Sequence, residues 1–318
     1  MSVIDQVCEK VLLPTTLADH AVSALISELE LYPKPGLVSP VDSGSHADMD
    51  HTLLRASANS LRPFFQDLAR HGEAGASFES GLVPAGIRAE QQMMQITQGI
   101  NTHRGAIFSM GLLVAATASL KKLPATAHEI SEALLSRWGS SLQAHAEDGR
   151  HASTHGGGVF RHDGVGGARQ EAALGFPSIF QLALPHFTGL AGENTSFPEA
   201  GVETLFLLMS SVPDTNVIHR GGREGATFVM QRAADFLHQG GIKNPLWHEV
   251  ACQIHREFMA KNLSPGGSAD LLAGTFFVAR MLTDFAHYHE CSGENLQNNN
   301  MAAQEMAAFG QETRSDFL

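Results

Sequence analysis

Cysteine, aromatic residues and positive charge are all scarce in this chain of 318 residues. Its three cysteines, Cys8, Cys252 and Cys291, stand far apart and in odd number. They give neither a disulfide framework nor a zinc spacing, and a reducing, cytoplasmic setting is expected. The first residues lack a basic stretch leading into an apolar one, so no signal peptide is expected. Aromatic residues make up 7% of the chain, and no alternating run is long enough to propose a sheet. Lysine and arginine total 21 against 33 acidic residues, a net charge of −12, which argues against nucleic acid or an anionic membrane as the partner. No apolar run reaches the ~20 residues of a membrane span. The stretch Gly105–Leu120 carries no charge and is read instead as a buried central helix.

Helix formers are abundant, and apolar residues reach 43%, enough for a globular core. In residues 14–30, Leu17, Ala21, Val22, Leu25, Ile26 and Leu29 recur every three to four positions, and Pro33 and Pro35 close the helix they imply. Similar patterns predict helices at about 50–70, 86–98, 103–120, 126–145, 170–185, 199–211, 223–239, 246–260 and 268–289. The expected fold is mainly α: one compact multi-helix domain over 1–290 with glycine-rich active-site loops, and a tail over 291–318. One small hairpin is allowed around Gly157–Arg169. Segment 149–169 interleaves glycines with Arg150, His155, Arg161, His162 and Arg169, and reads either as a surface loop or as a flap over a ligand.

Glycine-punctuated motifs carry the chemistry. Gly44-Ser45-His46-Ala47-Asp48-Met49-Asp50 spaces an imidazole and two carboxylates two residues apart. These residues suit metal or cation stabilisation, although either aspartate could merely cap the following helix. Asp214-Thr215-Asn216 repeats the spacing, and Arg220-Gly221-Gly222 precedes a helical run, an arrangement suited to an anion. Asn101-Thr102-His103-Arg104-Gly105 opens the most apolar helix, and Ser264-Pro265-Gly266-Gly267-Ser268-Ala269-Asp270 opens another. Carboxylates for a metal beside cations and backbone amides for phosphates point to an enzyme of nucleotide chemistry.

With these blocks in order, the chain resembles the triphosphoribosyl-dephospho-CoA synthase family. The resemblance rests on Pro33-Lys34-Pro35-Gly36-Leu37-Val38, Gly44 to Asp50, and Gly99-Ile100-Asn101-Thr102-His103-Arg104-Gly105-Ala106-Ile107-Phe108-Ser109. It continues through Gly164 to Ala172 with Gly175-Phe176-Pro177, through Asp214 to Asn216 with Arg220-Gly221-Gly222, and through Ser264 to Ala273. Two departures stand out: Arg104 where the family often has Lys, and Gln170 within Arg169-Gln170-Glu171 where Gly is usual.

The resemblance implies a transferase joining ATP to 3′-dephospho-CoA with release of adenine. The product would pass to a second transferase acting on the acyl carrier subunit of malonate decarboxylase or citrate lyase. The segment Leu37-Val38-Ser39-Pro40 with Gly44-Ser45-His46 leans towards the malonate decarboxylase branch. Chemistry then assigns expected roles. Asp48, Asp50, Asp214 and Asn216 would hold Mg²⁺ or stabilise the ribosyl cation. Lys34, Asn101, His103, Arg104, Arg169, Arg220, Gly221 and Gly222 would bind substrate and phosphate, and Arg169 with Glu171 would order the glycine-rich loop. His46, Glu224 and Asp270 stand unranked as the base for the acceptor hydroxyl. A homodimer stands as an alternative to a monomer. Two other readings are a metal-dependent helical hydrolase of N-ribosyl or ADP-ribosyl bonds and a non-catalytic CoA- or carrier-binding helical module.

Overall fold

The computed structural model describes residues 13–121, 125–148, 166–193 and 195–282. The expected hairpin, apart from its last residues, and the expected tail lie outside these, as do Cys8, Cys291 and segment 149–165. Every regular element among the described residues is helical. In chain order they are α1 (Pro14–Leu29), α2 (His51–Ser60), α3 (Arg62–Glu73), α4 (Val83–Ile96), α5 (Arg104–Ser119) and α6 (Ala127–Asp148). They continue with α7 (Gly167–Ala173), α8 (Leu184–Gly192), α9 (Phe197–Ser211), α10 (Thr215–His238), α11 (Trp247–Ala260) and α12 (Gly266–Met281). Wide turns over Phe78–Leu82 and Ser178–Ala183 lead into α4 and α8. Where one long helix is expected over 50–70, Pro63 in the first turn of α3 marks a break at Leu61. The stretch 170–185 likewise divides, with Pro185 opening α8. The residues Gly167–Arg169 begin α7 rather than a strand.

One core serves all of these helices. Helix α5 runs through its centre, buried on every side from Ala106 to Ser119 apart from Phe108, and α12 is buried almost as completely. A helix apolar all round belongs in the interior, where its small residues let neighbours close in. Gly72 on α3 touches α5 so closely that an added Cβ would lie 2.1 Å from the Ala115 carbonyl oxygen. From the facing side, a Cβ on Gly111 would lie 2.6 Å from Leu68. The loop before α2 folds back on itself at Gly44 (φ 55°) and against Leu263 at Gly36 (φ 70°), where a Cβ would meet the Leu263 carbonyl oxygen at 2.1 Å. No helix among the described residues is long and apolar enough to cross a membrane.

The glycine contacts make a paired prediction. Gly72→Ala forces α3 away from α5 and should lower the unfolding free energy by about 1–3 kcal/mol. Gly189→Ala, on α8 where no atom lies within 4 Å of the added carbon, should raise it by about 0.5–1 kcal/mol. Urea denaturation of both variants measures this; equal effects would mean that the close α3–α5 contact is wrong.

Candidate active site

Three buried-helix starts meet at one place. At the start of α10, Asp214 is buried; its Oδ1 accepts from the Asn216 and Val217 amides at 2.8 and 3.3 Å. Its Oδ2 accepts from the Ser268 amide at 2.8 Å and the Ser268 hydroxyl at 3.3 Å, so one carboxylate joins the starts of α10 and α12. One turn into α12, Asp270 accepts the Ala106 amide at the start of α5. A Cβ on Gly105 would lie 1.9 Å from Asp270 Oδ2, and one on Gly267 would lie 3.0 Å from Asp214 Oδ2. The glycines of both motifs therefore admit carboxylates to helix ends, where the positive end of the dipole and unpaired amides receive them.

These helix starts line a cavity of about 1390 Å³, whose walls include Asn101–Gly105, Gly166–Glu171, Asp214–Asn216 and Gly266–Leu271. A volume above the ~300–1,000 Å³ usual for one small ligand suits two nucleotide-sized substrates. Apolar side chains line it too, among them Phe64, Leu68, Phe78, Leu82, Phe108 and Leu112. Along its polar walls stand four basic side chains, Lys34, Arg104, Arg169 and Arg220. Six carboxylates, Glu28, Asp48, Glu90, Glu171, Asp214 and Asp270, stand with them.

The three candidate bases separate. Glu224 is exposed and does not line the cavity. His46 lines it, but its Nε2 lies 2.8 Å from Ser264 Oγ and its Nδ1 accepts from Arg220 at 3.1 Å. Burial, with Arg220 beside it, pushes its pKa down, so the ring is neutral and both nitrogens are engaged. Asp270 keeps partial solvent access within the cavity. The protein enclosing it, with Asp214 and Glu28 nearby, nevertheless holds its carboxyl well above the ordinary carboxylate range.

The other residues singled out divide between wall and scaffold. Asp48 lines the cavity 3.8 Å from His46, whereas Asp50 lies outside it and caps α2 through the Leu53 amide at 2.8 Å. Helix α10 begins at Thr215, earlier than expected, and Gly222 (φ 64°, ψ −164°) is a kink within it. Neither Gly221 nor Gly222 lines the cavity; Gly221 packs against Leu263, and the helix start that faces the cavity is that of Asp214–Asn216. Arg220 reaches back to the Ser45 carbonyl at 2.8 Å and to Asn262 Oδ1 at 3.0 Å, latching two loops together. Lys34 is buried, with its ammonium on Glu28 Oε1 at 2.7 Å and the Glu28 carbonyl at 2.8 Å. Arg104 pairs with Glu90 at 2.9 Å, Asn101 accepts the Arg104 amide, and Arg169 donates to the His145 carbonyl at 3.3 Å. Glu171 receives the Ser178 amide and hydroxyl, which fixes a helix start, and loop 149–165 lies outside the described residues. His103 is buried beside Ser57, 2.9 Å away, and burial with Lys34 nearby pushes its pKa down to about 4.

The expected metal ligands do not converge. Among the described residues no three His, Cys, Asp or Glu side chains form a metal-sized cluster. Both oxygens of Asp214 are spent on donors, and Asp50 is turned to its helix. Glu28 was missed by sequence reading, although it falls on the same face as Leu25 and Leu29, where an acid is out of place.

Comparison with known proteins places the sequence among named relatives. The family model described as ATP:dephospho-CoA triphosphoribosyl transferase matches residues 14–287. A probable 2-(5″-triphosphoribosyl)-3′-dephosphocoenzyme-A synthase of Pseudomonas aeruginosa is 41% identical over 83% of this chain and 90% of its own. One from Acinetobacter calcoaceticus is 37% identical over the same shares, and the Escherichia fergusonii synthase is 35% identical, also over 83% and 90%. No solved structure matches the chain.

Two measurements probe the site. Gly105→Ala should cost about 1–3 kcal/mol of stability, and adding Asp270→Ala should recover most of it, because the clash is between these two groups. A double-mutant cycle without coupling would separate them. For His103, the unfolded ring protonates near ~6.5 and the folded ring near about 4, so the unfolded chain binds the extra proton between these values. Stability should therefore fall as pH drops through that window, by up to about 3 kcal/mol from this group. In His103→Asn this part of the slope should vanish in urea titrations at pH 7, 6 and 5; an unchanged slope would assign it elsewhere.

Proposed function

The chain belongs to the ATP:dephospho-CoA triphosphoribosyl transferase family, and we propose that it performs this transfer in the cavity where α5, α10 and α12 begin, with Asp270 as the base. Its activity is that of a triphosphoribosyl-dephospho-CoA synthase. The observation that carries the site assignment is the convergence of three helix starts on one cavity large enough for both substrates. Backbone amides in the first turn of α12 other than that of Ser268, with Arg104 and Arg169, are the groups offered to the triphosphate.

In the reaction the acceptor ribose hydroxyl bonds to C1′ of the ATP ribose, the C1′–N bond breaks, and adenine leaves with the bonding pair and takes up a proton on that nitrogen, which balances the proton lost by the hydroxyl. Asp270 takes the hydroxyl proton: a carboxyl whose pKa its surroundings raise is a stronger base than an exposed one. Asp48 supplies negative charge where the ribosyl centre becomes cationic. Mg²⁺ bound with the triphosphate would neutralise phosphate charge and orient it. Asp48 is the carboxylate of this wall open to it, since Asp214 is committed to helix amides and Asp270 to the proton transfer. For the product, we propose the malonate decarboxylase carrier as the destination, on the Ser39–Pro40 and Ser45–His46 variants of the motif.

Incubation with ATP, Mg²⁺ and dephospho-CoA should release adenine, and omission of dephospho-CoA should abolish release. Adenine or ribose products without the acceptor would support the hydrolase instead. Asp270→Asn should lower kcat by about 10²-fold or more while leaving the fold intact. Undiminished turnover would remove Asp270 from the proton transfer.

A further inference from the structure

One wall of the cavity runs along α5 as a graded stripe. Arg104, Phe108 and Leu112 follow at four-residue intervals and all line the cavity, so they share one face of the helix. The stripe begins with Arg104, which is paired with Glu90, and ends with the apolar Leu112. Phe108 lies about 6 Å along the axis from Arg104, one turn inside the helix start. Phe108 is the break in an otherwise buried helix, an aromatic ring left partly accessible at the cavity wall.

Its neighbours form an aromatic cluster drawn from three separate elements. The His145 ring on α6 stacks on Phe108, with centroids 5.7 Å apart and planes at 28°. Phe78, in the turn before α4, meets His145 edge-on at 5.3 Å. All three line the cavity. Burial, with Arg169 close by, pushes the His145 pKa down, so the ring is neutral near neutral pH and offers a hydrogen-bonding nitrogen without charge. Planar, uncharged and held in place by mutual contact, such a cluster suits a heteroaromatic ring better than a flexible chain.

We infer that this cluster of Phe108, His145 and Phe78 is a purine-base subsite, and that it receives the adenine of the donor nucleotide. The spacing along α5 supports the donor. With the triphosphate at the helix starts, the ribose spans one helical turn and its base meets Phe108. The same placement sets C1′ beside the first turn of α5, where Asp270 reaches in past Gly105. The inference rests on the ATP-dependent transfer proposed above, and the adenine leaving that reaction would depart from this cluster.

The test is calorimetric binding of adenosine, inorganic tripolyphosphate, ATP, dephospho-CoA and pantetheine to the wild type and to Phe108→Leu and Phe108→Tyr. Leucine keeps apolar volume without the ring, and tyrosine keeps the ring, which guards against a folding defect. Adenosine and ATP should bind Phe108→Leu about tenfold or more weakly, and Phe108→Tyr nearly as well as wild type. Tripolyphosphate and dephospho-CoA should change by less than about twofold in either variant. Unchanged adenosine affinity in Phe108→Leu, or no adenosine binding by the wild type, overturns the subsite. A loss confined to dephospho-CoA overturns the donor assignment in favour of the acceptor's base, and a loss confined to pantetheine makes the cluster a chain-binding groove. A wild type that binds adenosine here but releases no adenine with both substrates would leave the subsite standing and overturn the transfer.

Discussion

The buried carboxylate of Asp214 holds this site together. It accepts two amides from the start of its own helix and an amide and a hydroxyl from Ser268 on another. Burial alone pushes its pKa up, and those four donors pull it back without cancelling the rise. A buried charge is costly unless donors replace water, and two helix ends supply donors that would otherwise be unpaired. The contact sets how α12 lies against α10. Asp270, one turn along α12, is thereby delivered to the start of α5. Three stretches of chain far apart in sequence are brought into register by two side chains.

The same arrangement limits how the cavity can bind a highly charged ligand. Carboxylates already occupy two of the helix ends, so the dipoles there are partly compensated before any substrate arrives. Lys34 is committed to Glu28 and Arg220 to the Ser45 carbonyl, Asn262 and His46. A triphosphate is therefore not met by a dense cationic patch. In the transfer proposed above, amides, a few guanidinium groups and an accompanying cation would share the work, which also suits a protein of net charge −12.

Much of the fold was legible because its signals are local. Periodicity located α1, α5 and α9 within about two residues, and proline explains the breaks within 50–70 and 170–185. The reading of the glycines was only half successful. Gly36 and Gly44 turn the chain, whereas Gly105, Gly221 and Gly267 serve close packing against Asp270, Leu263 and Asp214. Nothing local distinguishes a glycine that admits a phosphate from one that admits a side chain from another helix. For the same reason Asp48 and Asp50 looked equivalent: spacing cannot show that one faces a cavity and the other its own helix. Phe108 and His145 escaped notice because aromatics on helices read as core until the neighbouring helix is placed.

The paired aspartates also show how one environment yields two different groups. Asp214 sits close enough to Asp270 to raise that residue's cost of ionisation, and both are enclosed by protein. Four donors offset that cost at Asp214 and make its charge part of the scaffold. At Asp270 the Ala106 amide works against enclosure and two acidic neighbours, so its carboxyl remains well above the ordinary range. Neighbouring carboxyls whose environments drive their proton affinities apart are a recurring basis for assigning acid and base roles. Here the division follows from which helix ends each one meets, and it leaves Asp270, the less satisfied of the two, facing the cavity.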